Sequence, residues 1–416
     1  MKPSGANGRS PAKLVRNGVF GLLLTALLLW GAAGDYRPSA FDLAVAPYRY
    51  DLVRWEMSNF LDKWTRKLGD LLPWNSEPSR EQRVTQAQEY FALGEEIAGL
   101  ERQFVAKSVS DAETLELQVK IDMLSERRKS IQGEIEETLE SEISSVLAEE
   151  GFASRIGVIF PPVDTVYARS PGVLILSPRD RISRVSTALL RPGIDDQERE
   201  TLETLVLQER NLAALVENTG GVAAYPSVVS SSGSLHGALV TTAHEWLHHW
   251  FFFQPLGQHF GDSADMTTLN ETAATLGGRA IGDRALAAMT GEVIDRDAPP
   301  AEVDPDAFDF NAEMRETRLR AEELLAEGKI EEAEAYMEER RQLLIENRFF
   351  IRKINQAFFA FHGSYATSAA SVSPVDEQLR TLQDRTESLA DFLKTVARFG
   401  SYEGFLGHIE GLPAYR

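Results

Sequence analysis

The sequence contains no cysteine. Without cysteine the chain forms no disulfide, and zinc sites with thiolate ligands and iron–sulfur clusters are excluded. A cysteine-free chain can work on either side of a membrane, so this absence leaves the compartment open. The chain contains seven histidines.

Positive charge is also scarce. Lysine and arginine number 43 against 63 aspartates and glutamates, which gives a net charge of −20. Such a surface repels phosphate groups, so nucleic acid is excluded as a partner. Hydrophobic residues make up 43% and charged residues 25% of the chain, a composition typical of folded globular proteins. At 416 residues the chain is long enough for two or three compact units.

One long hydrophobic run stands near the N-terminus, at 18–34, and basic residues are scattered through 1–17. Positive charge before such a run keeps that flank in the cytoplasm. We expect 18–34 to be a transmembrane anchor, which makes the protein single-pass with its main part outside the cytoplasm. The alternative is a signal peptide that is cleaved near residues 31–33, which yields a secreted protein.

Hydrophobic spacing predicts a helical hairpin after a connector at 35–79. Residues 80–150 read as two long helices with a break at 108–110, and Ser110 with Glu113 forms a capping box for the second helix. The simplest arrangement is antiparallel. Its charged outer face is typical of a solvated surface, and binding of a protein partner by this hairpin is the alternative.

Strand patterns are concentrated in the next region, 151–290. Short β-type runs and a longer helical pattern predict three strands and then a helix, at 158–160, 165–167, 173–176 and 195–218. A further strand is expected at 222–229, and Pro226 favours an edge position for it, because proline cannot donate to a sheet ladder. Residues 291–416 form a C-terminal helical region. The fold class is therefore α+β and predominantly helical, with a small β-sheet.

The most informative stretch is His-Glu-Trp-Leu-His at 244–248, within a run of helical spacing. A helix brings residues four apart onto one face, so His244 and His248 can bind one metal ion. Glu245 then lies beside the open face of the metal, where it can take a proton from water. This is the HExxH signature of zinc metallopeptidases. His249 is rotated by about 100° from His248 and cannot easily share its metal.

A catalytic zinc site needs a third protein ligand. Asp262 and Asp265 are candidates in a short loop bounded by glycines. Glu271 has a better context, because it stands near the start of a second helix that is rich in small residues and can pack closely. Those residues are Ala273, Ala274, Gly277 and Gly278. We expect Glu271 to be the third ligand, with the two aspartates as alternatives.

The Asn-Glu-x-x-Ala pattern that begins at Asn270 resembles the gluzincins, zinc peptidases in which a glutamate on a second helix follows HExxH. The resemblance covers roughly 220–290, and the separation of Glu271 from the motif is a little longer than in the best-known members. It implies a zincin-like metallopeptidase domain that binds Zn²⁺ through His244, His248 and Glu271. It also implies Glu245 as the general base that activates the zinc-bound water, and a peptide as substrate.

A tetrahedral oxyanion needs a second donor, which similar enzymes supply as a tyrosine or histidine from a C-terminal helix. The sequence predicts a helix at 351–370 that is polar at one end. His362 and Tyr365 are three residues apart there and could face one cleft. We expect Tyr365 in this role, with His362 as the second choice.

Two other functions fit the same sequence. The first is a membrane-anchored helical scaffold with a degenerate or structural metal site, although such a site has no use for a base at Glu245. The second is a zinc hydrolase that acts on something other than a peptide.

Overall fold

The computed structural model describes residues 39–59, 79–106, 111–296 and 307–411. The predicted anchor at 18–34 lies outside these ranges, as does Ser110 of the predicted capping box. Among the helices of the described ranges, none is both long and apolar enough to cross a bilayer. The fold is α+β and predominantly helical, as the sequence predicted.

A first unit ends at Pro47, and a second runs from Tyr48 onward. The described part of the first unit contains one short helix, α1 (Ala40–Val45). Ser39 caps this helix: its hydroxyl accepts from the Asp42 N–H at 3.1 Å, and the Asp42 carboxylate accepts from the Ser39 N–H at 3.0 Å. This reciprocal pair satisfies backbone donors that the first helical turn leaves free.

In the second unit, a helical segment at 52–59 precedes a helical hairpin, α2 (Arg80–Ala106) and α3 (Asp111–Glu149). The two helices are antiparallel, because residues late in one form ion pairs with residues early in the other. These pairs are Arg80–Glu142, Arg127–Glu89 and Lys120–Glu96, each at 2.8 to 2.9 Å. The C-terminal half of α3 enters the main hydrophobic core through a stripe of buried side chains: Ile131, Ile135, Leu139 and Ile143.

The first sheet is antiparallel, with β2 (Gly172–Pro178) between β3 (Ser186–Leu190) and β4 (Leu212–Asn218). Helix α4 (Asp196–Arg210) precedes β4. The predicted helix at 195–218 was therefore too long. Asn211 takes a left-handed conformation, with φ of 51°, and ends α4. The residues after it then pair with β2 and bury Leu215 and Val216.

The second sheet has β6 (Ser227–Ser230) at its centre, parallel to β1 (Thr165–Ala168) and antiparallel to β5 (Gly221–Val222). The predicted edge strand at 222–229 is thus two strands, β5 and β6, separated by a turn at 223–226. Strand β5 lies at the edge of the sheet, whereas β6 lies in its centre. Proline at 226 falls in the turn, where no ladder donor is needed. The predicted strand at 158–160 is irregular chain.

Helix α3 covers the outer edge of β1 with two carboxylates one helical turn apart. Glu140 accepts from the Thr165 N–H at 2.8 Å, and Glu136 accepts from the Tyr167 N–H at 3.0 Å. All four residues are buried. Side chains of a helix thus satisfy the backbone donors that a neighbouring strand would otherwise pair.

Helices α5 (Leu235–Phe252) and α7 (Ala264–Thr290) form the centre of the unit, joined by the short α6 (Pro255–Gln258). They cross closely because glycines on α7 face α5. A Cβ at Gly282 would lie 2.7 Å from the Val240 Cα, and one at Gly278 would lie 3.0 Å from the His244 Cβ.

The C-terminal region is helical but more broken than predicted. It contains α8 (Phe310–Ala326), α9 (Ile330–Glu346), α10 (Gln356–His362), α11 (Val375–Gln383), α12 (Leu389–Val396) and α13 (Tyr402–Gly411). The predicted helix at 351–370 is reduced to α10. Side chains bind the carbonyl groups of the last turn of α10 and compete with continuation of the helix. The Ser364 hydroxyl donates to the Phe361 carbonyl at 2.7 Å, and Arg318 donates to the Phe359 carbonyl at 3.1 Å.

Candidate metal centre

Three side chains from two helices converge at one point of the second unit. His244 and His248 lie on the same face of α5, with their Nε2 atoms 3.0 Å apart. The Glu271 Oε2 on α7 lies 3.6 Å from the His244 Nε2 and 3.4 Å from the His248 Nε2. Within the described ranges, this is the one group of at least three histidine, aspartate or glutamate side chains that lie close enough together to hold a metal ion.

The geometry of the three atoms fits a metal of zinc size. Two ligands at about 2.0–2.1 Å from a tetrahedral zinc are about 3.4 Å apart, and the observed separations of 3.0, 3.4 and 3.6 Å bracket that value. The Glu271 Oε2 is buried and has no hydrogen-bond partner. Its neighbours in the triad are the two histidine nitrogens 3.4 and 3.6 Å away, and a cation bound between these three atoms would compensate its buried charge.

Close packing of α5 and α7 sets the distance between the ligands. Gly278 lies about two turns after Glu271 on the same face of α7. It packs directly against the backbone of His244. Gly277 lies against Leu247, where a Cβ would be 2.7 Å from the Leu247 Cδ1. Larger residues at these positions would separate the helices and move Glu271 away from the histidines.

The alternative third ligands lie elsewhere. The Asp262 carboxylate contacts the His259 Nδ1 at 2.6 Å, on the surface. Asp265 is exposed in the first turn of α7. His249 lies beside Tyr225, with ring centroids 5.4 Å apart, and forms part of the cleft wall rather than of the triad.

The charges of the triad residues shift one another's pKa values. Burial lowers the pKa of His248, but the charge of Glu271 beside it outweighs burial and raises that pKa to about 9. Burial conversely raises the pKa of Glu271, yet His248 and His244 hold that pKa well below its ordinary value. The Glu271 carboxylate is thus ionised in the folded protein.

Glu245 lies next to the triad and is buried. Burial raises its pKa, the two histidines oppose this shift, and Glu271 adds to it. The carboxylate occupies the space that a side chain at Gly221 on β5 would fill. Glu245 and the edge strand are therefore in direct contact at the wall of the cleft.

Tyr365 reaches the same cleft from the turn after α10. The Ala366 N–H donates to the Thr272 Oγ1 at 3.0 Å, which ties this turn to α7 one residue after Glu271. Burial raises the pKa of Tyr365 well above its ordinary value, and the charges of Glu271 and Glu245 add to the shift. The hydroxyl therefore keeps its proton and can donate it in a hydrogen bond.

The structure does not bring His362 to the cleft. Its ring packs on Phe358 and Phe361, with centroids 4.4 and 5.1 Å away. Its Nε2 is buried without a hydrogen-bond partner, and burial lowers its pKa. The spacing in the sequence pairs His362 with Tyr365, because residues three apart on a helix share a face. Helix α10 ends at His362, so these two residues do not share a helical face.

The triad, Glu245 and Tyr365 lie in a cleft of about 740 Å³, within the range of about 300–1,000 Å³ typical of ligand sites. Sequence reasoning missed the residues of its outer wall, among them Phe160, Phe252 and Phe253. The run of aromatic residues at 250–253 that directly follows the motif was the available signal.

Comparison with family models, with curated proteins and with solved structures finds no match for this chain. The chemistry of the side chains in the cleft is therefore the basis for a functional assignment.

Proposed function

We propose that this protein is a zinc metallopeptidase with a zincin-like catalytic domain, in which His244, His248 and Glu271 hold Zn²⁺. One observation carries the proposal: three ligand atoms 3.0 to 3.6 Å apart line a cleft together with the Glu245 carboxylate and the Tyr365 hydroxyl. A purely structural site has no use for these two additional groups.

His244, His248 and Glu271 would hold the zinc, which when bound would supply Lewis acidity that lowers the pKa of a water molecule and polarises a substrate carbonyl. Glu245 accepts the proton of the attacking water and delivers it to the leaving amine. The negative charge that develops on the carbonyl oxygen accepts a hydrogen bond from Tyr365. Each role needs a group in the same cleft as the triad, and both residues line that cleft.

A peptide is the substrate that suits the cleft wall. Within the part of the chain that the structure describes, strand β5 pairs with β6 and with no other strand. Its residues Gly221 and Val222 line the cleft together with Ala223. An extended peptide can add to such a strand edge through its backbone donors and acceptors. The added chain would pass directly over Glu245.

The cellular location stays a prediction from sequence. With 18–34 as an anchor, the catalytic domain is extracytoplasmic on a single-pass membrane protein; with 18–34 cleaved, the enzyme is secreted. Membrane fractionation of cells that express the full chain, compared with a version that lacks 18–34, separates these two outcomes.

The decisive test of the metal centre is elemental analysis of the purified full chain. We expect about one zinc per chain, lost in His248→Ala and retained in the control His408→Ala, which changes an exposed histidine far along the chain. Glu245→Gln should keep the zinc and lose hydrolysis of peptides, because it removes the base and leaves the ligands.

Two results contradict the proposal in different ways. Absence of metal from the parent chain would exclude the zinc centre and favour the scaffold function. Full turnover in zinc-loaded Glu245→Gln would retain the metal centre and reject Glu245 as the base.

A further inference from the structure

Aromatic side chains form the mouth of the cleft. Phe160, Phe252 and Phe253 line it and remain 60%, 66% and 51% exposed. Their rings contact one another, with centroids 5.1 Å apart for Phe160–Phe253 and 5.3 Å apart for Phe252–Phe253. Exposed aromatic residues that cluster at a cleft, rather than scatter singly, mark a binding surface.

The aromatic lining continues inward to the metal ligands. Phe260 packs edge-on against His248, with centroids 6.4 Å apart. Tyr225 lies on the other side, against His249. Aromatic rings therefore line the cleft both at its exposed part and beside a residue of the triad.

Hydrogen bonding holds this wall in place. The Trp246 Nε1 on α5 donates to the Pro161 carbonyl at 2.8 Å, and Trp246 is buried. Phe160 precedes that proline, so its position is fixed relative to the motif helix. A wall that is already formed binds a side chain without the entropic cost of ordering it.

Charge is almost absent from the lining. Among the described residues that line the cleft, the carboxylates are Glu245 and Glu271, and neither lysine nor arginine is present. Both carboxylates are already assigned to the proposed chemistry. Arg184 lies near enough for its charge to act on Tyr365, but it does not line the cleft.

Peptidases that act at chain ends need a counter-charge for the free terminus: a carboxylate for an amine, or a cation for a carboxylate. A charged side chain of the substrate has the same requirement, since an unpaired charge is costly to bury. Apart from the triad and Glu245, which are assigned to the proposed chemistry, the described lining offers no carboxylate, lysine or arginine for this purpose. It offers an apolar surface, on which a bulky apolar side chain gains free energy by leaving water.

We infer that this protein is an endopeptidase that cleaves inside extended polypeptides, next to a bulky apolar or aromatic residue held by the aromatic wall. This inference rests on the proposed peptidase function and specifies its substrate class.

The test uses the zinc-loaded full chain and peptides blocked by acetylation and amidation, with one central residue varied among Phe, Leu, Ala, Lys and Glu. Mass spectrometry locates the cleaved bond, and kcat/KM is measured for each peptide. We expect internal cleavage of blocked Phe and Leu peptides, about 100-fold faster than of Lys and Glu peptides.

Wall variants connect the preference to the structure. Phe160→Ala and Phe253→Ala should each lower kcat/KM for the Phe peptide about tenfold and change it little for the Ala peptide. Phe350→Ala is the matched control, because Phe350 is 82% exposed and lies off the cleft. It should leave both values unchanged.

Several results would overturn the inference. Release of residues from free termini with no cleavage of blocked peptides, or equal rates for Lys and Phe peptides, rejects it and leaves the peptidase function standing. An unchanged preference in both wall variants rejects the aromatic wall as its cause. Failure of the zinc-loaded chain to cleave any peptide rejects the proposed function and this inference together.

Discussion

Gly221 and the Glu245 carboxylate are in contact: a Cβ at position 221 would lie 2.9 Å from the Glu245 Cδ and 2.9 Å from the Thr241 Cγ2. The absence of a side chain at this point of β5 is what admits the carboxylate. The residue proposed as the base and the strand proposed to bind substrate backbone therefore share one surface.

Gly221→Ala should displace Glu245 and impair hydrolysis more than stability. The added methyl group meets the Glu245 carboxylate, which can move at small energetic cost, and the Thr241 Cγ2, which is less free to move because threonine is β-branched. A misplaced catalytic group lowers kcat by about 100-fold, and we expect this loss to exceed the effect of the Thr241 contact on stability. Peptide turnover, zinc content and thermal unfolding are measured together. Gly220→Ala is the control, because no atom lies within 4 Å of a Cβ at that neighbouring glycine. Equal losses in both variants would show that the chain at 220–221, and not Glu245, is the sensitive element.

Glu271→Ala should weaken zinc binding more than about 100-fold, which exceeds the 10–100-fold typical of residues that only orient a ligand. Asp262→Ala should leave the affinity unchanged, because Asp262 contacts His259 instead of the triad. Competition of each purified variant with a zinc chelator gives the dissociation constants. Should Asp262→Ala instead lose zinc, the third ligand would have to be reassigned.

Tyr365→Phe should lower kcat about 100-fold without changing zinc content, because it removes one hydroxyl donor from the oxyanion. His362→Gln should change kcat little, since His362 packs among phenylalanines away from the cleft. Steady-state kinetics on a cleaved peptide distinguish the two. A larger loss in the His362 variant would reverse their assignment.

Gly282→Ala should destabilise the protein and weaken zinc binding. Overpacking against the Val240 backbone costs about 1–3 kcal/mol, which outweighs the gain of about 1 kcal/mol from replacing a helical glycine. Gly407→Ala makes the same change on α13, where a Cβ meets no atom within 4 Å, and should be neutral or stabilising. Urea unfolding of both variants checks the opposite signs, and a stabilised Gly282→Ala would mean that α5 and α7 pack less closely.

Glu136→Ala should lower the free energy of unfolding by about 1–3 kcal/mol, because it leaves the buried N–H of Tyr167 unpaired. Glu126→Ala removes an exposed carboxylate from the same helix and should stay within about 0.5 kcal/mol of the parent. Denaturant titrations give both values. Similar, small effects in the two variants would show that water replaces Glu136 at the strand edge.

Local rules were sufficient to predict that the three residues of the candidate metal centre come together. Helical periodicity alone places His244 and His248 on one face, and small residues on the next helix predicted the close packing that brings Glu271 to them. Glycines 277 and 278 are in contact with α5 in the structure. Such relationships depend on a few residues adjacent in sequence, and so they can be read before the fold is known.

The cleft wall could not be predicted in this way. The turn at 223–226 divides the expected strand into two. The expected helix at 195–218 ends at Asn211, which is left-handed, and the residues after it form a strand. The end of α10 depends on Arg318, which is distant in sequence and donates to a carbonyl of the last turn. These outcomes are determined by tertiary contacts, which outweigh the intrinsic preference of a short segment.

The two edges of the second sheet differ in what they can accept. Glu136 and Glu140 occupy the donors of β1, whereas β5 is only two residues long and faces the cleft. A foreign strand can thus extend this sheet on one side alone, and over a span too short to support a stable oligomer. Any polypeptide that pairs with β5 is brought to the group proposed to cut it, so this edge of the second sheet is also the place at which a bound chain would be cleaved.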